Sequence, residues 1–158
     1  MRRSSVLTSI PVALALVLAV WAAGPPVLAQ TGEVYTARLG WVPLAGPNDR
    51  QYVSGKGSVS ATLTGMRLAI AGTFEGLPAP VTVARLHRGI IKGARGPAMG
   101  DLMVMKTGDG TAGTISGNLT LTTVDVEQLK AGRLYVQVHS EKGLPKDDGS
   151  TLWGWLLK

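Results

Sequence analysis

Gly132-Arg133-Leu134-Tyr135-Val136-Gln137-Val138-His139-Ser140 decides the fold class of this 158-residue chain. From Leu134 the run alternates. Leu134, Val136 and Val138 share one side; Tyr135, Gln137 and His139 share the other. A period of two is the mark of a β-strand with one apolar face. Ala84-Arg85-Leu86-His87-Arg88-Gly89 does the same, with Ala84 and Leu86 inward and Arg85 and His87 outward. These two runs hold the only histidines, His87 and His139.

Working outward, similar short runs fall at residues 34–42, 55–63, 67–74, 102–106, 114–121 and 151–157, separated by glycine, proline, asparagine and aspartate. With the two histidine runs they make about eight strands. Regular short strands with turn signals between them predict an all-β protein, a single antiparallel β-sandwich. Residues 123–131, Thr-Val-Asp-Val-Glu-Gln-Leu-Lys-Ala, break the pattern and predict one short helix, with Thr123 as its cap and Gly132 as a left-handed stop. Trp153 and Trp155, two residues apart, share a face; they are expected to close the core, the alternative being a platform for a sugar or protein partner.

The N-terminal segment reads as an export signal, residues 1–29. Arg2 and Arg3 precede an apolar run at 10–23, and Val27-Leu28-Ala29 offers small residues for cleavage before Gln30. The run is shorter than the ~20 residues of a membrane-spanning helix, so no span is expected after cleavage. The expected compartment is periplasmic or extracellular. With no cysteine, the chain can form neither disulfides nor a lipid-modified cysteine. Cleavage lowers the formal net charge of +6 by two, to +4. Arg85, Arg88, Lys92 and Arg95 form the densest basic stretch, but no aromatic side chain is interleaved for base stacking. A nucleic-acid partner is therefore not expected.

The ordered motifs resemble the CHRD, or chordin-type, domain. That family pairs an early His-x-His-x-Gly strand with a late segment of helical turn, glycine, tyrosine and His-Thr. Here His87, Gly89, Gly132, Tyr135, His139 and Gly154 stand at the matching positions, with Pro145 and Gly149 between His139 and Gly154. The likeness runs over residues 59–157, so residues 30–58 read as a strand and loop leading into a domain at 59–158. It implies an immunoglobulin-like or superoxide-dismutase-like sandwich serving as an extracellular module. This chain departs from the pattern at three places. Arg85 replaces the first histidine of the pair, Ser140 replaces threonine, and Leu152-Trp153-Gly154-Trp155 lacks the arginine usual before the glycine.

The candidate chemistry is sparse. Ser140 follows His139 directly, so on a strand they point to opposite faces and cannot pair as nucleophile and base. Two histidines are too few for a binuclear copper–zinc centre. No catalytic residue and no resident cofactor is expected, and the leading expectation is a non-catalytic binding or structural module with an unknown protein or envelope ligand. The alternative is an envelope copper-binding protein. His87 and His139, with Met103 or Met105 from the outward side of a third strand, would form a soft donor set suited to Cu(I). Against it, methionine commonly fills gaps.

Overall fold

A computed structural model describes residues 31–158; the expected signal segment and its cleavage site lie outside the described residues. Eight strands and one α-helix follow in order, with two short 3-10 helices in the connections. They are β1 (Glu33–Trp41), β2 (Lys56–Thr64), β3 (Arg67–Glu75), β4 (Val81–Arg88), β5 (Ala98–Thr107), β6 (Ala112–Thr120), α1 (Thr123–Lys130), β7 (Leu134–Leu144) and β8 (Ser150–Trp155). All strand pairs are antiparallel. No described helix is long and apolar enough to cross a membrane.

The strands close into a barrel in the order β1-β2-β3-β6-β5-β4-β7-β8, where two separate sheets were expected. Two corner strands make the difference. β1 pairs with β2 from Glu33 to Leu39 and then with β8 through Gly40 and Trp41. β5 pairs with β4 up to Leu102 and with β6 from Met103 onward. Strands that bend from one sheet into the other join the layers at both edges, leaving no unpaired edge. Alternation along a strand shows which residues face inward, but not which strand lies beside which.

The barrel interior is apolar. Leu68, Ala84, Leu86, Leu134, Val136, Val138, Leu152 and Leu156 are among its fully buried side chains. Gly154 faces inward where β8 meets β1. A Cβ there would lie 2.6 Å from the Arg38 carbonyl oxygen, so only glycine fits. Because Leu152 and Gly154 of β8, and Leu156 just after it, face inward, Trp153 and Trp155 face outward; they do not close the barrel core. α1 plugs one end through Leu129. Its cap is Thr122, one residue before the expected Thr123. The Thr122 hydroxyl accepts the Asp125 N–H and donates to Asp125 Oδ2, and that oxygen accepts the Thr122 N–H. This is a reciprocal capping box with Asp at the third helical position. Gly132, at φ +68°, ends the helix in the left-handed region.

A smaller apolar cluster of Val42, Val53 and Leu144 sits outside the barrel, with Tyr52 and Trp153 against it.

Candidate functional site

The outward faces of β4, β7 and β8 carry the side chains singled out by the sequence. Register places His87 beside Tyr135 and Tyr135 beside Trp155. One step along, Arg85 lies beside Gln137 and Gln137 beside Trp153. One step further, Val83 lies beside His139. Outward residues of a barrel ordinarily meet water, yet Tyr135, Gln137 and His139 are all buried. Two loops form a roof over them, residues 89–97 and 145–149.

The first loop is held by His87 and Tyr135. His87 Nδ1 lies 3.0 Å from the Gly96 carbonyl oxygen. Because a carbonyl only accepts, Nδ1 carries the proton. The Tyr135 hydroxyl accepts the Gly96 N–H at 3.2 Å and donates to the Gly96 carbonyl at 3.3 Å. The rings of His87 and Tyr135 stack at 4.9 Å, and Tyr135 meets Trp155 at 4.6 Å. Gly89 lies flat on this aromatic row. A Cβ there would meet the Trp155 ring at 2.5 Å, so the loop can leave β4 only through a glycine.

The second loop is held by His139, Gln137 and Ser150. His139 Nδ1 lies 2.8 Å from the Asp148 carbonyl oxygen, which again fixes the proton on Nδ1. Asp147 accepts from Gln137 Nε2 at 3.0 Å and from the Ser150 hydroxyl. Asp148 takes the left-handed conformation, φ +50°, and Gly149 follows it at φ +77°. Arg85 binds Asp101, its neighbour on β5, at 2.9 Å and Asp148 of the second loop at 3.1 Å. Arg95 of the first loop meets Asp147 of the second at 2.7 Å and joins the two.

In a neutral ring whose Nδ1 donates, Nε2 is the acceptor nitrogen. Both Nε2 atoms are buried and have no hydrogen-bond partner. Burial pushes the His87 pKa below its usual value; the charges of His139 and Arg85 act in the same direction, and the Gly96 carbonyl opposes them. Burial likewise raises the Tyr135 phenol.

Met103 and Met105 face outward on β5, opposite Ser116 and Thr114 of β6, and both are about two-thirds exposed. Neither thioether is a partner of either Nε2. Among the described residues no group of three or more His, Cys, Asp or Glu side chains is placed to hold a metal ion. The Ser140 hydroxyl bonds to the Thr151 hydroxyl at 2.8 Å, away from His139. Asp147 and Asp148 read as a plain turn in the sequence. Their roles as acceptors for the neighbouring strands, like those of Arg95 and Gly96, come from loops folding back over β7, for which no local pattern exists.

A family model described as CHRD domain matches residues 41–144, well over half of the chain. The match takes in both histidines, Gly89, Gly132 and Tyr135, while β8 with Gly154 lies beyond it. No curated protein and no solved structure matches the chain.

Proposed function

Because the chain belongs to the CHRD domain family, we propose that it is an exported, non-catalytic binding or structural module of the cell envelope or the extracellular space. One observation carries this reading. The histidines, Tyr135, Gln137 and Asp147 spend their hydrogen bonds on holding two loops against the barrel. A catalytic group has to meet a substrate; these groups meet backbone and one another. What they build is a fixed loop surface on a closed scaffold, the usual form of a recognition module. Export is supported by the basic, apolar and small-residue order of residues 1–29. The test is to express the full chain with its leader, measure the intact mass of exported material and melt it beside His139→Ala. Mature protein starting at Gln30, with a variant that is less stable but otherwise folded, supports the reading. A dominant species retaining Met1 contradicts export. An unchanged melting temperature in His139→Ala contradicts the structural role.

The two unpartnered Nε2 atoms favour a second reading, an envelope copper site. A metal-binding imidazole typically donates its other N–H to a backbone carbonyl, and both rings do so. Two imidazoles suit Cu(I), with Met103 or Met105 as further donors only if β5 side chains swing toward the rings. Arg85 opposes the site, since its fixed positive charge lies close enough to bias His87. On this reading Cu(I) raises the melting temperature, by ~2.7 kcal/mol of stabilisation at a hundredfold excess over Kd. The gain disappears in both His87→Ala and His139→Ala.

A further inference from the structure

We propose that the tip of the 89–97 loop is a docking surface for the anionic phospholipid surface of a membrane. Ile90 and Ile91 are the apolar side chains at that tip. They are 73% and 59% exposed, and Ala94 closes a tight turn back onto the Ile91 carbonyl at 3.0 Å. Val124, at the start of α1, is exposed beside them, and a cleft between Ile90 and Val124 is walled by Arg88 and Arg133. The patch is therefore an exposed apolar loop tip flanked by cations. Ile90 and Ile91 do nothing for the roof, whose contacts come from Gly89, Arg95 and Gly96. Two neighbouring β-branched residues left in water at a loop tip call for an occupant.

Charge selects which one. From Gly76 to Gly100 the sequence has no acid. Lys92 is exposed and makes no ion pair among the described residues. Arg88 pairs with Asp125 at 3.0 Å, but the carboxylate is the buried partner and the guanidinium the exposed one. Arg95 is likewise more exposed than its partner Asp147. The nearest exposed acid along α1, Glu127, is not part of the cleft wall. Exposed isoleucines among basic residues match a bilayer surface, where they enter the boundary of the acyl chains while lysine and arginine stay among anionic headgroups. The proposal gives the envelope module a partner and so rests on that reading. Vesicle binding reads the surface alone, whereas the mass of the exported chain reads the compartment, so the two fail separately.

The test is co-sedimentation of the purified mature chain, Gln30 to Lys158, with sonicated vesicles. One set contains phosphatidylglycerol and phosphatidylethanolamine; the other is phosphatidylcholine alone. The expected result is binding to the anionic vesicles only, weakened as salt rises from about 0.1 to 0.5 M. Binding should fall on the order of tenfold in Lys92→Glu, a reversal of one interfacial charge. It should disappear in the double variant Ile90→Ser/Ile91→Ser. Both variants lie on exposed positions, and an unchanged melting temperature verifies their fold. Wild-type protein that stays in the supernatant with anionic vesicles overturns the proposal. So does equal binding to both vesicle types, or undiminished binding by the double isoleucine variant.

Discussion

Arg95 and Asp147 form a 2.7 Å ion pair between two loops that lie fifty residues apart in sequence and meet over the outer face of β7. The pair turns two separate connections into one roof. Beneath it the barrel has a second buried layer, made of rings and polar side chains, outside its apolar core.

The two partners contribute unequally. Arg95 is more than one-third exposed and makes only this ion pair, so Arg95→Ala should cost roughly 0.5–1 kcal/mol, in the range of exposed pairs. Asp147 also accepts from Gln137 and Ser150. Asp147→Ala leaves the buried Gln137 amide without its acceptor and should cost about 1–3 kcal/mol. Urea unfolding of the two single variants and the double variant checks both values.

Gly89→Ala drives a methyl group into the Trp155 ring. Overpacking of this kind costs typically ~1–3 kcal/mol. Since the displaced group is a tryptophan, the emission spectrum of the folded variant should also change. Gly93→Ala, at an open position of the same loop with φ +90°, strains only the local turn and should leave the spectrum as in wild type.

Stability should fall on mild acidification because of His87. Its folded pKa lies below the ordinary value of 6.5, so between those two values the unfolded chain binds more protons than the folded one. Stability is complete above about pH 6.5 and is lost as pH drops through the lowered folded pKa. Asp109 and Asp125 also have lowered values, and Glu33, held by Lys158, Tyr35 and Lys130, sits at about 2. Their stabilisation is lost only at more acidic pH, below the ordinary carboxylate range. Melting temperatures from pH 8 to 5 should therefore decline less in His87→Gln than in wild type.

The inward and outward faces of β4 and β7 were legible from alternation alone, and so was the one helix, because both depend on residues close in sequence. Gly132 was legible for the same reason. Closure was not. β1 and β5 change partners midway, at Gly40 and after Leu102, and nothing in their own alternation marks the change. The site was half legible. His87, Tyr135 and His139 stood out, but their face reads as solvent-exposed in any strand pattern. Its burial comes from Gly96, Asp147 and Asp148, which fold over it from loops. Trp153 and Trp155 were misplaced on the same ground: a large aromatic pair suggests the main core, whereas Trp155 lies under Gly89 of this roof and Trp153 packs against the outer cluster of Val42, Val53 and Leu144.

The central claim is that both histidines hold the roof through Nδ1–H. Long-range nitrogen–proton correlation spectra of the two imidazoles, recorded at pH 8 with and without Cu(I), test it most directly. Both Nδ1 atoms are expected to carry a proton, and Cu(I) is expected to move neither Nε2 resonance. An Nε2-protonated tautomer at either ring would contradict the roof contacts, and a Cu(I)-induced shift of both Nε2 resonances would replace the structural reading with the metal site.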